Sequence, residues 1–240
     1  MESDPFYARP TAASSRGTRP YLATRALLAC RRSPVRGTIA HVSAQLFATD
    51  IVFLQRFLKC CGLYDGTING EWSGTTDNAT TTFDSMSEQI AVELGTFDTR
   101  SERCIRTLQP KAQRVARAFL RRVRDAGIEA RILSGTRTYA EQDALYRKGR
   151  YGDTSPIVTK ARGGRSNHNF GIAWDIGVFL GGAYLGNSSL YARAAQVGKV
   201  PGIDWGGDWT SFVDQPHYEL STGMTLAAVR TNFETGQSFV

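Results

Sequence analysis

Apolar residues begin to recur at helical spacing at residue 51, where Ile51, Leu54, Phe57 and Leu58 follow Asp50, a residue suited to a helix start. Asp65-Gly66 and Asn69-Gly70 then mark turns, and a second helix is predicted over 75–86 with Ala79 and Phe83 inward. The stretch LGTFDTRSERC reads as a linker. A strong helix is expected over 111–126, with Pro110 at its first position, a stripe of Val115, Phe119, Leu120 and Val123, and Gly127 as its stop. Residues 128–133 read as a strand, and Thr138 with Glu141 forms a capping box for a helix reaching about 148. Residues 149–167 read as a long Gly-rich and basic loop, of the kind that borders sites more often than it fills cores. Strands over 172–179 and 218–220, with a helix near 189–197 between them, complete the pattern. Helices and strands mix without regular βαβ repetition, so the fold class expected is α+β, a small antiparallel sheet with flanking helices.

Before residue 46 the texture is different. Pro5, Pro10, Pro20 and Pro34 interrupt a stretch rich in Arg, Ser, Thr and Ala, which predicts a flexible basic tail over 1–45. The chain carries a net charge of +7, unevenly spread. Basic residues dominate 1–46 and 111–150, while 47–110 is acidic. Such blocks suit either contact with an anionic polymer or a solvated helix face, and the second reading is preferred for 111–150. No apolar run approaches a membrane span, and the opening Met-Glu-Ser-Asp-Pro has none of the marks of a secretory signal. Synthesis in the cytoplasm without a signal peptide is therefore expected. Cys30, Cys60, Cys61 and Cys104 lack C-x-x-C spacing and are expected to be free thiols.

The chain has three histidines, His41, His168 and His217, and two of them lie close to carboxylates. An open metal site needs three protein ligands and one free position. His168 and Asp175, separated by NFGIAW, and His217 are residue types that fit. Spacing alone is weak, since a His and an Asp at that separation are more often structural. In DQPH, Asp214 stands three residues before His217. It is either a base beside the metal or a turn residue bonded to its own backbone.

Together, SNHNFGIAWD and DQPHYE resemble the zinc peptidase family of VanY-type D-alanyl-D-alanine carboxypeptidases and phage L-alanyl-D-glutamate endopeptidases. The pattern S-x-H-x-x-G-x-A-x-D falls on Ser166, His168, Gly171, Ala173 and Asp175. D-x-P-H-x-E falls on Asp214, Pro216, His217 and Glu219. The resemblance spans about 96–220 and includes SGTRTYAEQDALY. It implies Zn2+ held by His168, Asp175 and His217, with Asp214 as general base. It also implies that Arg137 is a catalytic cation facing the substrate carbonyl or a carboxylate. Ser166, Gln142 and Trp205 complete the substrate-facing set; Gln142 is expected to brace rather than react, and Trp205, with Trp209, to wall a groove. The run from Asp50 to Phe83, centred on GLYDGTINGEWSGTT, resembles the small helical peptidoglycan-binding domain found beside cell-wall hydrolases.

The organisation expected is a tail over 1–45, a helical peptidoglycan-binding-like domain over 46–95 and a zinc peptidase domain over 96–240. The implied function is hydrolysis of the L-Ala–D-Glu bond of peptidoglycan, by an endolysin or an antibacterial effector. A D-Ala-D-Ala carboxypeptidase and a non-catalytic peptidoglycan-binding protein are the alternatives. Peptidoglycan is the expected partner, with delivery machinery or a membrane touched through the tail. Nucleic acid is not expected, and the chain is expected to be a monomer.

Overall fold

The computed structural model describes residues 47–240; the tail expected over 1–45 lies outside them. Helix α1 runs Ala48–Cys60 and α2 runs Gly74–Leu94. The second helix outlasts the expected 75–86 because Ser87, Ile90 and Ala91 continue its buried face as far as Gly95. Its threonines are tolerated because Thr80, Thr81 and Thr82 turn their hydroxyls back onto carbonyls four residues earlier.

The stretch expected to be a linker instead contains helix α3, Thr99–Ile105. Asp98 caps it, accepting from the backbone N–H groups of Arg100 and Ser101 and from the Ser101 hydroxyl, and it also pairs with Arg124 at 2.7 Å. Burial pushes the Asp98 carboxyl up, but the Ser101 bonds and the Arg124 cation outweigh it and leave its pKa below the usual value. A carboxyl lowered on folding stabilises the fold above its unfolded pKa, near 4, and the contribution disappears as pH falls through the folded pKa. Asp98→Ala is expected to cost about 1 kcal/mol at neutral pH. In urea melts the gap from the parent should shrink below pH 4.

Helix α4, Pro110–Asp125, places Ala112, Ala116, Phe119, Leu120 and Val123 in the core, while Val115 sits at its margin. Its arginines answer the acidic stretch before it: Arg114 pairs with Glu93, Arg117 with Glu102 and Arg124 with Asp98. Three arginines of the basic block over 111–150 are thus partnered by acids of the block over 47–110.

Five antiparallel strands follow: β1 Glu129–Ser134, β2 Ala173–Leu180, β3 Ala183–Leu185, β4 Ile203–Trp205 and β5 His217–Leu220. The order is β1-β2-β5-β4, with β3 paired to the far end of β2. Helix α5, Tyr139–Arg147, carries the predicted Thr138–Glu141 capping box. Helix α6 is Leu190–Gly198, and α7, Leu226–Thr235, ends the fold. The arrangement is α+β. Alternation along β2 sends Trp174, Ile176 and Val178 into the core, where Trp174 stacks on Tyr218 and Phe119 lies 4.3 Å from the Tyr218 ring.

One continuous core crosses the domain boundary expected near residue 95. Leu54, Phe57, Leu58 and Phe83 belong to the same cluster as Phe170, Trp174 and Phe233. Phe53 packs on both Tyr139 and Phe233, which ties α1 to α5 and α7.

Candidate metal centre and cleft

Two strands and one turn bring the three candidate ligands together. In the β2–β5 ladder Asp175 and His217 are direct cross-strand partners, so their side chains share a face. A bulge between Ile132 and Ser134 shifts the β1 register and sets Ser134 opposite Asp175 on the other side. His168 comes from a 3-10 turn, Asn167–Phe170, closed by Gly171 in the left-handed region at φ 72°. A side chain at Gly171 would be strained, and its Cβ would lie 2.5 Å from the Phe57 ring. The turn is pinned by its neighbours: Arg137 N–H donates to His168 O, Gln109 Nε2 to Phe170 O and Asn169 Nδ2 to Arg137 O.

His168 Nε2, His217 Nδ1 and Asp175 Oδ1 form a triangle with edges of 3.2, 3.1 and 3.1 Å. The outer partners decide what those atoms offer. His168 Nδ1 lies 2.8 Å from the carbonyl of Gly135, an acceptor only, so it carries the proton and Nε2 presents a lone pair. His217 Nε2 donates to Glu219 Oε2 at 2.9 Å, which leaves Nδ1 bare in the neutral ring. Three lone pairs therefore converge on one point, and the two imidazoles are buried.

Burial opposes charging His217, but its bonds to Asp175 and Glu219 push its pKa up to about 9. Burial and the Arg137 charge hold His168 below its usual value. Burial works against ionising Asp175, yet the charges of His168 and Arg137 keep it well below the carboxylate range. Glu219 is likewise pushed up by burial, but the bonds from His217 and Asn167 keep it low.

Arg137, expected to face the substrate carbonyl or a carboxylate, lines the cleft, and its guanidinium is bound to residues of the site: Nη2 meets Asp175 Oδ2 at 2.5 Å and Ser134 Oγ at 2.8 Å, and Nη1 meets Gln142 Oε1 at 3.2 Å. Gln142 is buried, bonds the Ala161 carbonyl with its other end and braces Arg137 rather than meeting a ligand. Trp205 is also displaced from its expected place. It lies on β4 opposite Tyr218, stacks on that ring and donates its indole N–H to Gln215 O, so Trp209 lines the cleft instead, 5.0 Å from the His217 ring. Ser166 and Asp214 both line the cleft.

Asp214 is fixed by its backbone, with its N–H on Gly206 O at 2.9 Å and its carbonyl accepting from His217 N–H at 3.1 Å. Gly206 has to be bare there, because a Cβ would sit 2.4 Å from Asp214 O. Burial, then the nearby Asp175 charge, raises the Asp214 pKa. Two contributions have no role assigned from the sequence. Glu219 stands in the D-x-P-H-x-E pattern, and its place two residues from His217 on one strand face makes its bond to that ring readable in principle. Gly135 acts through a backbone carbonyl and leaves no side-chain signal.

The cleft around the triangle has a volume of about 1820 Å³, larger than a small-molecule site, and extends from α2 and α3 to Trp209, Phe212 and Leu226. Such a trough suits a polymer segment.

A family model described as D-alanyl-D-alanine carboxypeptidase matches residues 159–220, which contain the triangle, Ser166, Asp214 and Glu219. The peptidoglycan L-alanyl-D-glutamate endopeptidase CwlK of Bacillus subtilis (strain 168) is 37% identical over 123 residues, 47% of this chain and 73% of that protein. A crystal structure of the L-Ala D-Glu endopeptidase ChiX of Serratia marcescens is 28% identical, covering 55% of this chain and 94% of that one, with a TM-score of 0.40. Given the share of the Bacillus protein that it covers at that identity, the chain belongs to the M15 peptidase family, as its two motifs implied.

Proposed function

We propose that this peptidase is a zinc-dependent peptidoglycan hydrolase that cuts the L-Ala–D-Glu bond of the stem peptide. The observation that carries the metal reading is the triangle of lone pairs. Ligand atoms bound to tetrahedral zinc at its usual distances stand about 3.3 Å apart, and the edges at 3.1–3.2 Å fit that face. His168, Asp175 and His217 would hold the ion, whose chemistry is Lewis-acid polarisation of the scissile carbonyl and a water nucleophile at neutral pH. The chain's residues do the rest. Asp214 takes the proton of the attacking water on its carboxylate and returns it to the leaving amine. Arg137 holds Asp175 ionised and aimed, braced by Ser134 and Gln142. Glu219 and Gly135 O fix the two imidazole tautomers, and Ser166 faces the substrate. Glu219→Gln is expected to weaken metal retention by roughly 10- to 100-fold, read by chelator competition.

The L-Ala–D-Glu bond is supported by the relatives that bear that activity in their names and by a cleft that continues well beyond the triangle, as an internal bond requires. The description of the matching family model favours a second reading, D-Ala-D-Ala carboxypeptidase. Digestion of purified peptidoglycan with and without chelator, followed by mass analysis, separates them. New L-Ala termini with D-Glu amines support the first, free D-Ala the second, and chelator-insensitive cutting would remove the metal. Action at the cell wall, after phage release or secretion and with the basic tail aiding membrane or machinery contact, belongs to the same proposal.

A further inference from the structure

We propose that Arg100 and Arg103 on α3 form a carboxylate-binding subsite that makes the enzyme prefer stem peptides whose D-Glu carries a free carboxylate over those in which it is amidated. The inference rests on the peptidase reading above and adds its specificity. It starts from the one arginine nearest the reacting groups. Arg137 has its fork committed to Asp175, Ser134 and Gln142, so it has no paired N–H edge left for a substrate carboxylate.

The wall beside it does. Arg100, Arg103, Cys104 and Thr107 line the cleft at i, i+3, i+4 and i+7, one face of α3 and the turn after it, while Ser101 and Ile105 on the other side are buried. That face abuts the metal centre. Gly135, whose carbonyl holds His168, lies so close to Cys104 O that a Cβ would sit 2.4 Å from it. From Cys104 back to Arg100 is about 6 Å along the helix, or about two residues of extended peptide. A carboxylate beside a scissile amide held at the triangle falls within reach of two long side chains.

The cations are also available. The other arginines of α3 and α4 that meet acids do so at close range: Arg106 with Glu88, Arg114 with Glu93, Arg117 with Glu102 and Arg124 with Asp98. Arg100 and Arg103 are exposed and have no acidic partner among the described residues. Arg100 is nonetheless oriented, because one Nη donates to Leu133 O at 3.0 Å on the β1 edge, which leaves its remaining N–H groups toward the cleft.

The test compares two synthetic stem peptides, one with D-Glu bearing a free carboxylate and one with the corresponding amide. The wild-type kcat/KM is expected to favour the acid by about tenfold at low salt, a difference carried by KM. Arg100→Gln with Arg103→Gln should bring the ratio near one while cutting the amide peptide at the parent rate, which also shows that the variant is folded. Arg193→Gln, which removes one positive charge outside the cleft, should leave the ratio unchanged. A wild-type ratio near one, or a ratio that survives the double substitution, overturns the subsite. If neither peptide is cut, the hydrolase reading fails, and calorimetric binding of the same two peptides then judges the arginine pair alone by the same ratio.

Discussion

Asp214→Ala is expected to lower kcat on purified peptidoglycan by about 10²- to 10⁴-fold while the metal content stays at the parent level. The separation is possible because Asp214 acts on its neighbours in two ways. Its backbone holds Gly206 and His217 in place through bonds that alanine keeps. Its carboxylate, which lines the cleft and feels the charges of Asp175 and His217, is the part removed. Asp214→Asn sharpens the result, since the amide keeps the shape but cannot take a proton, and it should be as slow as alanine. Metal analysis of both variants completes the measurement. Activity within a few-fold of the parent would discard Asp214 as the base, and joint loss of metal and activity would make it a structural residue.

The largest expected effect on stability lies away from the chemistry. Arg117 is fully buried in α4, and its two Nη atoms meet the two carboxylate oxygens of Glu102 at 2.7 Å each. Gly95 O accepts from the same guanidinium, and Glu102 also receives the Phe97 N–H. Glu102→Gln leaves the buried cation uncompensated, at a cost of about 3–5 kcal/mol, which lowers Tm by on the order of 10 °C for a chain of this size. By contrast, the exposed Arg114–Glu93 pair should contribute less than about 1 kcal/mol. The double variant Arg117→Met with Glu102→Leu should recover most of the loss, because it removes both charges together. A Glu102→Gln melt within 2 °C or so of the parent would show that water reaches the pair.

The elements legible in the sequence are those with a stated end. Pro110 and Gly127 bracket α4, and Thr138 with Glu141 opens α5, so their bounds fall within a residue or two of expectation. Helix α3 was hidden because seven residues give too little periodicity, although Asp98 three before Ser101 is a cap signal. Strands β3 and β4 have three residues each and show no alternation to detect. Residue type and motif pointed to the three side chains that the structure brings together, His168, Asp175 and His217, because each can offer a ligand atom wherever the ladder sets it. They did not suffice for Trp205 and Trp209. Which ring faces the cleft depends on the pairing of Trp205 with Tyr218 across β4 and β5, a fact of register rather than of local sequence. Arg137 shows the same limit, for its partners come from β1, β2 and α5 together.

The contact between Gly171 and Phe57 joins the turn that carries His168 to the helix that opens the described chain. A wall-binding module strung on a linker can be exchanged between enzymes by recombination, with each half surviving the cut. Here a cut near residue 95 would strip Phe57 and Phe83 from a core shared with Phe170 and undermine the candidate metal ligand His168 two residues before it. Helices α1 and α2 are therefore one packing unit with the strands that carry the site, and a chimaera joined upstream of α1 keeps that core whole.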